Sequence, residues 1–127
     1  MTLEGEDFVA LQELLTHVPV AEPLMTYAAS LLMATHPETS TTIPSVARFV
    51  SYGASPRGMQ AMIRAARAYC LLDGRTAVSV DDIRRVAAPA LRHRIIMNFE
   101  GEAEQVKADD LVAEILDQVP TPAKGAA

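Results

Sequence analysis

Between Pro56 and Gly74 the chain reads PRGMQAMIRAARAYCLLDG, and this segment narrows the fold more than any other. Its apolar residues Met59, Met62, Ile63, Ala66, Tyr69 and Cys70 recur at three- and four-residue steps, the spacing of one helix face. Gln60, Arg64 and Arg67 fall on the opposite side. Ser55 is a favoured N-cap, Pro56 suits the first helical position, and Gly74 suits the stop. A helix so delimited must bury its single stripe against other helices or a sheet, and composition chooses between them. Half of the 127 residues are hydrophobic, yet aromatics make up only 5% and Trp is absent. Aliphatic, Ala and Met side chains must therefore fill the core, whereas a sheet calls for β-branched and aromatic enrichment. The expectation is an all-α fold, a small helical bundle in one domain.

The neighbouring segments extend this reading. EDFVALQELLTHV repeats Phe8, Leu11, Leu14, Leu15 and Val18 at helical spacing and ends before Pro19. AEPLMTYAASLLMATH repeats Leu24, Tyr27, Ala28, Leu31 and Leu32, tolerates Pro23 in its first turn, and stops at Pro37. From Pro37 to Gly53 the Thr and Ser clusters predict a long loop, pinned by one short helical turn through Val46, Phe49 and Val50. SVDDIRRVAAPALRHR opens on Ser79 and Asp82, an S-x-x-D capping box, with Ile83, Val86, Ala87, Ala90 and Leu91 as its stripe and a kink expected at Pro89. RIIMNF reads as a short strand beside Ala77 and Val78, which allows one short two-stranded element. ADDLVAEILDQV closes the bundle with Leu111, Val112, Ile115, Leu116 and Val119. The domain is expected to span residues 1–119, followed by a flexible tail over 120–127.

Several function classes are disfavoured. A formal charge of −5 weighs against nucleic acid, which needs a basic surface. His17, His36 and His93 have no His or Cys partner three or four residues away, so no metal site is expected. Cys70 lies on an apolar helix face with no base nearby in sequence and reads as a core thiol. No run of eighteen apolar residues is present and the N-terminus is acidic, so the default is a soluble domain in the cytoplasm. Asp81 and Asp82 read as acids favoured at a helix start, and Asp73-Gly74-Arg75 as a helix stop with an exposed ion pair.

The stretch VSYGASPRG, Val50 to Gly58, poses the functional question. Gly53 and Gly58 have the spacing of a phosphate loop, but a Walker loop continues with Lys and then Ser or Thr, where this chain has Met59 and Gln60. An ordinary helix start explains Ser55 and Pro56. It does not explain Arg57, a cation in the first helical turn, where the dipole disfavours it by roughly 0.3–1 kcal/mol. The same place favours an anion, and a cation there makes sense if it shares a phosphate with the helix end.

GASPR, DGR, V-S-x-D-D and LRHR, in this order and spacing, resemble the C-terminal lid of MoxR-type AAA+ ATPases. The resemblance extends from about Asp7 through ILDQVPTP. It implies a helical lid behind a Walker-containing core that is absent from this chain, so the chain alone is not an enzyme. It implies that Arg57 is the sensor-2 arginine on the ATP γ-phosphate, with Gly53, Ser55 and Pro56 supporting the helix start. ATP and Mg would be the cofactors, the Mg held by the missing core. The resemblance further implies a homo-oligomeric ring, a hexamer, and a chaperone-like role in maturing or activating partner proteins, often ones with a von Willebrand factor A domain. Relatives often carry Ala where Gly58 stands, a change expected to loosen the helix slightly. Some carry Thr-Arg where this chain has Thr35-His36, so no role of that arginine transfers.

Arg84, Arg85, Arg92, His93 and Arg94 form a basic cluster that reads as a solvated face favourable at a helix C-terminus. The likeness of LRHR makes Arg92, His93 and Arg94 candidates for an inter-domain or inter-subunit contact. Two other readings stay open: a free-standing protein- or DNA-interaction module, helix-turn-helix in style, using this cluster, and a purely structural bundle in which Arg57 is incidental.

Overall fold

The computed structural model describes residues 4–39 and 43–122. Within them the chain forms α1 (Gly5–Thr16), α2 (Glu22–Met33), α3 (Pro44–Phe49), β1 (Val50–Tyr52), α4 (Pro56–Leu72), α5 (Val80–Leu91), β2 (Ile96–Met97), α6 (Phe99–Ala103) and α7 (Ala108–Gln118). The fold is an all-α bundle carrying one two-stranded sheet. α4 and α5 form its central antiparallel pair, with α2 packed on both and α7 on α5. Leu24, Leu31, Met62, Ile83, Leu91 and Ile115 are fully buried where these helices meet. Burying each such side chain is worth about 1.5–3 kcal/mol, so this layer carries the fold.

α4 begins and ends where the sequence predicts. Pro56 occupies its first position, and Gly74 adopts φ +72°, a left-handed conformation that a side chain would resist. The Gly74 N–H then bonds the Leu71 carbonyl and the Arg75 N–H bonds the Cys70 carbonyl, both at 3.0 Å. Two last-turn acceptors are thereby satisfied in a Schellman arrangement. Cys70 is buried in the core as expected. α5 contains Pro89 and continues to Leu91.

Four expectations need correction. α1 forms, but it has no buried residue: Phe8 is 56% and Leu14 51% exposed, and of the predicted stripe only Val18, beyond the helix, is buried. Periodicity marks an apolar face without saying what covers it. The strand in RIIMNF pairs not with Ala77 and Val78 but antiparallel with β1, with Val50 opposite Met97 and Tyr52 opposite Ile96 around an irregularity. Val78 instead donates its N–H to the Pro19 carbonyl. The segment 37–53 contains the six-residue helix α3 and a strand, so Val50 pairs in the sheet and does not belong to a helical turn. Arg67, predicted to face solvent, is half-buried and donates from Nε to the Val18 carbonyl at 3.0 Å. Part of the Thr and Ser cluster, residues 40–42, and the end of the expected tail, residues 123–127, lie outside the described residues.

α6 has no counterpart in the sequence reading. Asn98 holds it: its Oδ1 accepts the Gly101 N–H at 2.8 Å, and its Nδ2 donates to the Arg48 carbonyl at 2.7 Å. The helix is too short to declare itself by period.

Candidate functional site

The N-terminus of α4 is held from the neighbouring α2. After α2 ends, Thr35 is wholly buried; its Oγ1 donates to the Leu32 carbonyl at 2.6 Å and accepts the Ala54 N–H at 2.9 Å. His36 Nε2 lies 2.7 Å from the Ala54 carbonyl, so the proton that satisfies that oxygen sits on Nε2. Its Nδ1 lies 3.2 Å from Glu38 Oε1. Both polar groups of residue 54 are thus gripped by two consecutive side chains. Gly53 permits this approach: a Cβ there would stand 2.6 Å from the Thr35 carbonyl oxygen. Its glycine therefore answers to packing against α2, not to a phosphate loop.

Ser55 is the N-cap residue with extended backbone, as expected, but its hydroxyl makes no capping bond. No side chain caps the first-turn N–H groups, and that end of the helix keeps its positive character. Arg57 is exposed and has no hydrogen-bond or ion-pair partner among the described residues. Gly58 beside it is buried; a Cβ there would lie 3.1 Å from Leu32 Cδ1 and from Leu91 Cδ2. Gly58 thus lets α2, α4 and α5 close together just behind Arg57, a packing role that the sequence did not reveal.

The basic cluster divides. Arg84 is not a solvated cation: its Nη1 donates to the Tyr27 hydroxyl and the Leu116 carbonyl, each at 3.0 Å, tying α5 to α2 and α7. The Arg85 guanidinium lies 4.0 Å from the centre of the Tyr69 ring. Arg92, His93 and Arg94 are exposed at the end of α5; Arg92 pairs with Asp109 at 2.9 Å, and Arg94 reaches the Ala90 carbonyl at 3.3 Å. A DNA-binding face would lose cations to these internal contacts.

Asp82 is more than a helix-start acid. Only 3% exposed, it completes the capping box by accepting the Ser79 N–H at 2.8 Å, and it also takes a two-pronged ion pair from Arg75, one arm at 2.7 Å. Arg75 reaches Asp73 as well, at 3.0 Å. Burial opposes ionisation of Asp82, but the Arg75 and Ser79 hydrogen bonds outweigh it and hold the carboxyl below the usual carboxylate range. The Arg75 guanidinium is correspondingly pushed up by its hydrogen bonds to Asp82 and Asp73. The two-residue spacing of Asp73 and Arg75 suggested a surface pair; the partner seven residues on carries no periodic signal.

Among the described residues, no group of three or more His, Cys, Asp or Glu side chains is placed to hold a metal ion, and no helix is long and apolar enough to cross a membrane. The chemistry this arrangement offers is the capture of an anion at a helix start without a side-chain cap, beside a guanidinium that has no partner among the described residues.

Residues 45–115 match the AAA lid domain family, more than half of the chain. The chain belongs to this family. Its relatives place the lid with the MoxR type. It is 29% identical over 120 residues to the chaperone MoxR1 of Mycobacterium tuberculosis, covering 94% of the lid and 32% of that protein. It is 43% identical over 81 residues to the protein MoxR of Paracoccus denitrificans, covering 61% and 23%. YeaC, an uncharacterised protein of Bacillus subtilis, is 33% identical over 122 residues, 96% of the lid and 35% of its own length. A crystal structure of a provisionally assigned ATPase from Cytophaga hutchinsonii superposes with a TM-score of 0.85 at 31% identity, over 91% of the lid and 35% of that chain. The lid therefore spans about a third of the length of the first of these curated relatives.

Proposed function

We propose that the chain, over residues 1–119, is the lid of a MoxR-type AAA+ ATPase and that Arg57 is its sensor-2 arginine. The observation that carries this reading is the pairing of an exposed Arg57, without a side-chain partner among the described residues, with a helix start that has no side-chain cap and is held by Thr35 just past α2. Bound ATP, with Mg held by a Walker-containing core, supplies the γ-phosphate charge that such a site can recognise. Among this chain's residues, Arg57 offers the charge-assisted contact and the start of α4 adds the positive end of the dipole, although Pro56 has no N–H and that of Gly58 is taken by the Ser55 carbonyl. Gly53, Ser55 and Pro56 set where that turn begins. A contact made to ATP and not to ADP gives the lid a difference in binding energy between the two states, and that difference drives domain motion.

In this reading the lid does not hydrolyse ATP by itself. It closes over the nucleotide at the junction with its core, and Arg92, His93 and Arg94 meet that core or a neighbouring subunit of a hexameric ring. The assembly works in the cytoplasm in a chaperone-like role, maturing or activating partner proteins, among them ones with von Willebrand factor A domains. The name of the M. tuberculosis relative, a chaperone, supports that direction.

The test is Arg57→Ala in the ATPase that carries this lid. The expected result is a large fall in ATP turnover or in preference for ATP over ADP with folding intact; an unchanged ATPase overturns the reading. The isolated chain should bind ATP only very weakly, and micromolar binding with magnesium would show that the site has been misread.

A further inference from the structure

We propose that Thr35 and His36 are positioning residues for Arg57, fixing where α4 begins and thereby where the guanidinium can reach. The inference rests on the sensor-2 reading and extends it to two side chains on another element. Pro56 sets where α4 begins along the chain, but Ser55 makes no side-chain cap, so the first turn does not fix its own place in the fold. What holds it is the backbone of Ala54, three residues before Arg57, whose N–H donates to Thr35 Oγ1 and whose carbonyl accepts from His36 Nε2. The Thr35 hydroxyl is committed twice, as acceptor from Ala54 and as donor to the Leu32 carbonyl in the last turn of α2, so its rotor has no freedom left. Gly53 lets the two backbones approach closer than any Cβ would allow. The position of Arg57 is therefore referred to α2 through two adjacent hydrogen-bonding side chains. A guanidinium serving a phosphate depends on such placement, since a misplacement of about 1 Å costs on the order of a hundredfold in a geometry-dependent step.

A merely structural contact and a positioning contact part company once Arg57 is gone. The former weakens the protein whatever stands at residue 57; the latter loses its effect on nucleotide discrimination when there is no guanidinium to place. The experiment measures the ratio of ATP to ADP affinities in the ATPase that carries this lid. It compares Thr35→Val, His36→Leu and Arg57→Ala, the doubles with Arg57→Ala, and the conservative changes Thr35→Ser and His36→Gln. Thr35→Val and His36→Leu should each lower the ratio about fivefold, the size of one neutral hydrogen bond. Thr35→Ser and His36→Gln, which keep a hydroxyl and an N–H donor, should restore most of it. Neither Thr35→Val nor His36→Leu should lower the ratio further in the Arg57→Ala background. Should Thr35→Val fail to fold, His36→Leu, at a half-buried ring, decides the matter. The inference is overturned if these variants keep the wild-type ratio while Arg57→Ala lowers it, or if they lower it equally with and without Arg57. If Arg57→Ala itself leaves the ratio unchanged, the sensor-2 reading falls and takes this inference with it.

Discussion

Replacing Asp82 should cost the lid more stability than replacing any exposed carboxylate. Its carboxylate accepts two hydrogen bonds from Arg75 and one each from the Ser79 N–H and hydroxyl, while only 3% exposed. Losing the capping box costs about 1 kcal/mol. Losing the charged hydrogen bonds to Arg75 costs about 1.5–3 kcal/mol. Against this, Asp82→Ala removes a carboxylate that burial disfavours, and Arg75 keeps Asp73 and solvent. The balance is about 2–4 kcal/mol for Asp82→Ala, or roughly 10 °C in Tm for a domain of this size. Asp82→Asn retains an acceptor for Ser79 but no charge, and should lose about 1–2 kcal/mol. Urea denaturation followed by far-UV circular dichroism reads both, since the chain has no Trp to report by fluorescence. The pH dependence is a second check. The native carboxyl titrates below its unfolded value of about 3.9, so its stabilisation is complete above that pH and is lost as pH falls through the lower native value. The gap between wild type and Asp82→Asn should therefore hold from neutral pH down to about 4 and close below it. A gap under about 0.5 kcal/mol at pH 7, within the range of ordinary surface substitutions, would refute the account, as would one that widens in acid.

Gly53→Ala should lose about 2–4 kcal/mol in the same denaturation series, because its Cβ meets backbone that cannot give without breaking the Ala54 hydrogen bonds. Gly58→Ala should cost less than Gly53→Ala and stay within about 1 kcal/mol of wild type, since its Cβ meets side-chain carbons of Leu32, Leu91 and Ala54 at 3.1–3.2 Å, which need give only slightly, and the helix gains propensity; a loss equal to that of Gly53→Ala would contradict this. Arg84→Met keeps the apolar stem but forfeits the bonds to Tyr27 and Leu116, a loss of about 1–2 kcal/mol by thermal melting, and no change would show that these bonds are solvent-replaceable. The Cys70 thiol should resist a thiol-specific reagent in the native lid and react at once in denaturant; comparable rates would mean that the α4 core opens readily.

What could be read from the sequence was local. α4 announced itself because Pro56, its stripe and Gly74 all lie within one helix and obey one period. The capping box at Ser79 was equally visible, being a three-residue pattern. Arg57 stood out as a charge on the wrong end of a dipole, and the structure leaves it exposed and without a partner among the described residues. What escaped was contact across the chain. α1 has an apolar face, but how far another element covers it depends on tertiary packing, and here α4 meets it only in part, leaving Leu15 half-buried and Phe8, Leu11 and Leu14 exposed. The partner of β2 lies over forty residues upstream, and strands this short carry no register of their own. Gly53 and Gly58 were legible as glycines, yet the reason for each lies far off in the chain, the Thr35 backbone just past α2 for Gly53 and Leu32 and Leu91 for Gly58. Asp82 and Arg84 illustrate the same limit, since a sequence shows a charge but not the buried group that it answers.

The ends of α4 have a mechanical consequence. Its 17 residues make a rod about 25 Å long, with Arg57 at one tip. The near tip is gripped by Thr35 just past α2, and the far tip, closed on itself by the Schellman turn, is tied to α5 by the Arg75–Asp82 pair. A rod fixed at both ends cannot pivot on its own. If Arg57 is the sensor-2 arginine proposed above, a tug of phosphate on it would be shared at once by α2 and α5, and the bundle would swing as a single stiff arm.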